Sequence, residues 1–209
     1  MRVLDLFSGI GGFSLGLERA GMRTVAFCEI DPYCRRVLRK HWPEVPIYDD
    51  VRALSADRLQ ADGISVDVIC GGFPCQDISS AGNKRGLSGE RSGLWTEYAR
   101  LIRELRPQFV IVENVSDILA RGLGDVLRDL DEIGMHVWWH CVPASDVGLP
   151  QPRDRFWLVA DSGSRRRAWR TQRDFSRQIT KRRHDDDGLA MAKHRARQAP
   201  SIIRRMDDG

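Results

Sequence analysis

The feature that most constrains this chain is the alternation, over residues 1–160, of short apolar runs with amphipathic stretches. Residues 2–7, 24–29, 66–70, 109–113, 136–142 and 156–160 read as strands. Residues 12–20, 32–41, 94–105 and 123–133 carry helical apolar spacing. Asp31 is a natural N-cap for the second helix, with Pro32 at its first helical position, where a missing N–H costs nothing. Alternation of this kind predicts an α/β fold: a mostly parallel, twisted sheet with helices on both faces.

In such sheets ligands sit beyond the carboxyl ends of the strands, where strand order reverses. The unusual residues of this chain fall at those positions. Residues 8–12 follow the first run, 29–31 the second, 71–76 the run at 66–70, and Glu113 with Asn114 ends the run at 109–113. Four polar or glycine-rich clusters at four strand ends mark one site.

The first cluster, Asp5-Leu-Phe-Ser-Gly-Ile-Gly-Gly12, is a strand, a glycine turn and a helix start. Such a turn lets a ligand approach the backbone closely, and the helix N-terminus favours a negative group. Its G-x-G-G spacing departs from the dinucleotide fingerprint G-x-G-x-x-G, which argues against a nicotinamide-dependent dehydrogenase. Glu29, about 20 residues further on, stands where an acid can accept bonds from ribose hydroxyls. Asp50, before Val51, ends another short extended stretch and could hold an adenine amino group. Together these point to a nucleoside cofactor.

The second cluster, Gly71-Gly-Phe-Pro-Cys-Gln76, places a cysteine in a Gly/Pro turn that exposes it. A stretch of about 17 residues rich in Gly, Ser, Lys and Arg follows, with the character of a basic lid. Cys28, Cys34, Cys70 and Cys141 lie in apolar runs or on helix faces and read as inert thiols. A glutamate at a buried strand end, as at Glu113, can have a raised pKa and serve as a proton donor. Arg153 and Arg155, two apart at a strand start, share a face and suit a carbonyl oxygen, a phosphate or an ion pair.

Composition bounds the alternatives. With 209 residues, 42% of them hydrophobic, one core can be built. No run approaches the ~18 apolar residues of a membrane span, and the opening MRVLDLFSG lacks a signal peptide's order. Five cysteines without a C-x-x-C pair indicate neither disulfides nor a zinc site, so a cytoplasmic protein without metal is expected. The net charge of +4 hides an asymmetry: residues 1–160 balance at −3 and residues 161–209 at +7. That basic, apolar-poor end could meet nucleic acid through phosphates, or simply be solvated and partly disordered.

Taken together, the strings DLFSGIGGF, CEIDPYC, GGFPCQDIS, ENV and QPRDRFWLV, in that order across residues 3–160, resemble the cytosine-5 DNA methyltransferases. The resemblance implies a Rossmann-like, S-adenosyl-L-methionine-dependent fold acting on a cytosine flipped out of duplex DNA. It implies that Cys75 attacks carbon 6, that Glu113 serves ring nitrogen 3 and the exocyclic amine, that Arg155 holds the carbonyl oxygen, and that Arg153 supports the loop or base. Cofactor contacts carry over to Phe7, Ser8, Gly9, Gly11, Gly12, Glu29, Ile30, Asp50, Val51, Pro74 and Leu94. Gln76, Ser79, Lys84 and Arg85 fall in the loop that closes over the base. Transfer RNA is the alternative substrate, and a non-catalytic remnant the alternative from another class.

The resemblance also implies a division into a catalytic domain at 1–160 and a remnant of the target-recognition region at 161–209. The family has a Gly-Asn-rich element beyond the segment that residues 203–209 resemble. Its absence here would weaken S-adenosylmethionine binding, leave an apolar edge exposed near residues 3–6, and raise the prospect of a second chain that supplies it.

Overall fold

The computed structural model describes residues 1–74, 93–149, 151 and 153–163. Seven strands form one sheet in the order β3-β2-β1-β4-β5-β7-β6. They are β1 (Arg2–Leu6), β2 (Arg23–Cys28), β3 (Ile47–Tyr48), β4 (Val68–Gly71), β5 (Phe109–Val115), β6 (His136–Pro143) and β7 (Asp154–Asp161). The helices are α1 (Gly12–Arg19), α2 (Pro32–His41), α3 (Ala56–Ala61), α4 (Gly93–Leu105), α5 (Ile118–Arg121) and α6 (Leu123–Ile133). The expected N-cap forms, with Asp31 Oδ1 accepting the Cys34 N–H at 2.9 Å.

Neighbours from β3 to β5 pair in parallel, whereas β7 runs antiparallel to both β5 and β6. The reason is the length of a connection. Only residues 144–153 join β6 to β7, too few for the crossover that a parallel return needs. The sequence pattern also passed over α3 and α5, whose few residues carry too little periodicity to be read.

Alternation along the strands divides the core. Leu4, Leu6, Ile69, Val110, Val112, Phe156 and Leu158 meet Trp95, Tyr98 and Ile102 of α4 and Val126 and Leu130 of α6. The opposite face brings Val3, Val68 and Cys70 against Phe13 and Leu17 of α1. Helices therefore cover both faces.

The expected exposed edge at residues 3–6 is not there. Val3, Leu4 and Leu6 are fully buried because β1 is central, flanked by β2 and β4. Large exposed apolar side chains of the sheet sit instead on β6 and β7, at Trp139, Trp157 and Val159. Apart from its first three residues, the 161–209 segment lies outside the described residues.

An acid sits in the middle of this packing. Asp5 of β1 is fully buried, and its Oδ2 accepts the Ser14 hydroxyl of α1 at 2.7 Å, while Oδ1 has no hydrogen-bond partner among the described residues. Burial pushes its pKa up to about 7, against the lowering effect of the Ser14 bond. The folded state therefore holds this proton more tightly than the unfolded chain, so stability falls as pH rises from about 4 to about 7. The full difference is at most about 4 kcal/mol. Asp5→Asn keeps an acceptor for Ser14 but does not titrate. Denaturant melts from pH 4 to pH 8 should show the variant gaining on the parent as pH rises; parallel curves would contradict the assignment.

Candidate active site

The site is built where the sheet's strand order reverses, between β1 and β4. Beyond β1 the chain turns through Phe7, Gly9 and Gly11, all with left-handed φ (52°, 54° and 90°). Gly11 has a second reason to be glycine: a Cβ there would lie 2.6 Å from the Trp42 ring. Ser8 fixes the turn, its hydroxyl donating to the Asp5 carbonyl at 2.6 Å, and the Gly11 N–H donates to the Ser8 carbonyl at 2.9 Å. Gly12 then opens α1.

Glu29, buried just past β2, joins this turn to the next. Its Oε2 accepts the Gly9 N–H at 2.7 Å and its Oε1 the Asp31 N–H at 2.8 Å. Each carboxylate oxygen keeps a further lone pair. Beside it a cleft of about 270 Å3 is lined by Phe7, Glu29, Ile30, Asp50, Val51, Pro74 and Leu94 among the sequence-expected positions. Cys28, Asp49, Arg52 and Gly72 also line it. Ser8, Gly9, Gly11 and Gly12 do not line it, and the Gly9 amide is already taken by Glu29. The Phe7 ring is held by stacking on Tyr98, centroids 6.3 Å apart. A larger cleft, about 370 Å3, opens at the β3 edge among Arg35, Arg39, Arg58 and Tyr48, away from the switch point.

Beyond β4 the chain runs through Gly72, Phe73 and Pro74 to Cys75. Cys75, with Gln76, Ser79, Lys84 and Arg85, lies outside the described residues. The approach to it is firmly held. Buried Asn114 donates from Nδ2 to the Phe73 carbonyl at 3.2 Å and accepts the Val115 N–H at 2.8 Å. The Phe73 ring packs on Trp95, whose indole N–H donates to Asp129 at 2.8 Å. The sequence placed Asn114 in a cluster without a task; its amide anchors Phe73, two residues before Cys75 in the chain.

Glu113, one residue earlier on β5, reaches toward the same segment. Its Oε1 pairs with Arg155 Nε of β7 at 2.9 Å. Burial raises the Glu113 pKa, opposed by the charges of Arg155 and Arg153. Arg153 is exposed just before β7, where its carbonyl accepts the Ala144 N–H at 2.8 Å. The Glu113–Arg155 contact thus realises the ion-pair option of the arginine pair, inside the site. The described thiols are poor nucleophiles: burial pushes Cys28 up to about 12 and Cys70 well above its ordinary value, and raises Cys34 and Cys141. Cys34 and Cys141 are only half-buried rather than core residues. Among the described residues no group of His, Cys, Asp and Glu is placed to hold a metal ion, and no helix is long and apolar enough to cross a membrane.

A sheet of this order with a reversed seventh strand and a glycine turn beside a strand-end acid defines the S-adenosylmethionine-dependent methyltransferase fold. Solved structures similar to it agree. A prophage-encoded DNA modification methyltransferase of E. coli is 30% identical, TM-score 0.67, over 78% of this chain and 47% of that one. Spodoptera frugiperda DNMT2, at 20% identity, shares the fold with TM-score 0.67 over 82% of this chain and 52% of its own. The sequence profile of the C-5 cytosine-specific DNA methylases matches residues 1–199, and the chain belongs to that family. The Type II methyltransferase M2.BsuMI of Bacillus subtilis is 40% identical over 168 residues, 77% of this chain and 42% of that protein. This chain spans less than half the length of that relative and of M.DsaV from Dactylococcopsis salina, of which it covers 45%.

The double use of Glu29 yields a test. Glu29→Gln turns one acceptor into an amide facing a backbone N–H, which should cost about 1–3 kcal/mol in a urea melt. An unchanged midpoint would mean that the two loops are held by other contacts.

Proposed function

We propose that this protein transfers a methyl group from S-adenosyl-L-methionine to carbon 5 of a cytosine flipped out of duplex DNA, through a covalent adduct on Cys75. The observation that carries the reading is a convergence. The cleft beside Glu29, the anchored segment leading to Cys75, and the Glu113–Arg155 pair all meet at the β1–β4 switch point.

The cleft suits the methyl donor by its donor set. The Phe7 ring offers a flat face to adenine, Asp50 an acceptor for its amino group, and Glu29 spare lone pairs to ribose hydroxyls. Ile30, Val51, Pro74 and Leu94 supply apolar walls, while Ser8, Gly9, Gly11 and Gly12 form the turn that would face the methionine portion. When bound, the cofactor supplies an electrophilic methyl group to carbon 5.

The chain's own residues make carbon 5 able to accept it. Carbon 5 lies in an aromatic ring and is a poor nucleophile. The Cys75 thiolate forms a bond to carbon 6, breaking aromaticity and leaving an enamine whose electrons reach carbon 5. Glu113 donates a proton or hydrogen bond at ring nitrogen 3 and accepts from the exocyclic amine, stabilising the charge as the adduct forms. Its burial favours the protonated form needed for that donation, and Arg155 turns to the ring's carbonyl oxygen as the base arrives. Arg153 adds positive charge at the same edge. A base then takes the carbon 5 proton, the carbon 6–sulfur bond breaks, and the thiolate is restored. Gln76, Ser79, Lys84 and Arg85 belong to the segment proposed to close over the base, which must leave the stack to be reached. The basic residues after 161 are proposed to meet DNA phosphates, and the relatives' Type II naming supports a restriction–modification setting.

Incubating the full chain with labelled S-adenosylmethionine and a random-sequence duplex library containing 5-fluorocytosine should trap a covalent complex. Cys75→Ser should abolish it, and Glu113→Gln should slow it by about 100-fold or more. Equal trapping by wild type and Cys75→Ser would remove the catalytic claim. Trapping on transfer RNA but not on the duplex would reassign the substrate.

A further inference from the structure

Gly71, which ends β4, and Gly72, which follows it, do different work. A Cβ built on Gly71 would lie 2.2 Å from the main-chain oxygen of Leu6, within the paired strands β1 and β4, so any side chain there must separate the sheet. A Cβ built on Gly72 meets something else: Glu113 Oε2 at 2.6 Å, with the Glu113 main-chain oxygen next at 3.5 Å. Gly72 φ lies outside the left-handed region, so no positive-φ strain opposes alanine at this position. The missing Cβ is therefore the space that the Glu113 carboxyl group occupies.

We propose that Gly72 is a positioning residue for the base-binding carboxyl group: its bare Cα seats Glu113 Oε2 while Arg155 holds Oε1. This rests on the role assigned to Glu113 above.

The backbone at Gly72 cannot retreat to make room. Gly71 is fixed against Leu6 on one side, and on the other the Phe73 carbonyl is held by Asn114 and the Phe73 ring by Trp95. Glu113 is the softer partner, a half-buried side chain with rotatable bonds. Its Cα is locked by pairing with Trp157 of β7. An added methyl group at position 72 must displace the carboxyl end of Glu113 and lengthen or break its 2.9 Å contact with Arg155. Gly72 also lines the cofactor cleft, so this one position touches both the space for the methyl donor and the group that would hold the acceptor base. A seat on the main chain, at the strand end that leads to Cys75, ties the placement of the acid to that of the nucleophile.

The test is a double-mutant cycle in the full chain, read by covalent trapping of the 5-fluorocytosine duplex. Gly72→Ala should leave the melting temperature near that of the parent and slow trapping by about 100-fold, the scale of a small misplacement of a reacting group. In a Glu113→Asp background, where the shorter side chain withdraws from position 72, the same substitution should cost little more. An equal cost in both backgrounds, or no cost in the parent, overturns the proposal. A second measurement does not need turnover. With 13C-labelled glutamate carboxyls, Gly72→Ala should move the Glu113 resonance and leave that of Glu29 in place. An unmoved Glu113 resonance overturns the seating. A moved resonance in a protein that never traps DNA would instead overturn the catalytic reading while leaving the seating intact.

Discussion

The site depends on the reversal of strand order between β1 and β4. Both strands run in the same direction and pair from Val3 with Val68 to Leu6 with Gly71, so their carboxyl ends stand side by side. The chain beyond β1 passes to α1 on one face, and the chain beyond β4 leads to α4 on the other. In such sheets the crevice at the switch point is where ligands bind. Among the described residues, Phe7, Glu29, Gly72 and Pro74 line the cleft there. Glu29 keeps its wall closed on the β2 side by fastening the Gly9 turn to the start of α2, and Asn114 does the corresponding work on the β5 side by fastening Phe73.

The electrostatics of the site are a contest over one proton. Removing the Glu113 carboxyl group from water favours its neutral form, and the guanidinium of Arg155 favours the charged form. An acid poised in this way can be turned by a small change nearby. On the proposed reading, a base that draws Arg155 to its carbonyl oxygen would remove part of the opposing charge and so shift Glu113 toward its protonated form. The buried thiols follow simpler logic, since burial, reinforced by nearby carboxylates, keeps Cys28 and Cys70 protonated.

Much of the framework was legible in the sequence because apolar runs and turn residues report local geometry. Strands, the main helices, the Asp31 cap and the clustering of polar residues at strand ends all follow from spacing. What was not legible depends on contacts between distant segments. The antiparallel direction of β7 follows from a connection whose ends become clear only once both strands are fixed. The burial of residues 3–6 follows from β1 being central, a property of strand order that no local pattern carries. Glu29 read as a ligand for ribose, yet it also accepts from two backbone N–H groups, because nothing in its neighbours announces which loops will meet it. Gly72 was part of a string, and only the position of Glu113 on the next strand explains why that string needs a glycine there.

The most direct test of this account is a crystal structure of the chain soaked with S-adenosylhomocysteine. The account predicts the nucleoside in the cleft between Phe7 and Val51, with ribose hydroxyls on Glu29 and the sulfur directed toward Gly72 and Pro74. Density in the arginine-lined cleft at the β3 edge instead, or a fully loaded ligand that makes no contact with Glu29, would contradict it.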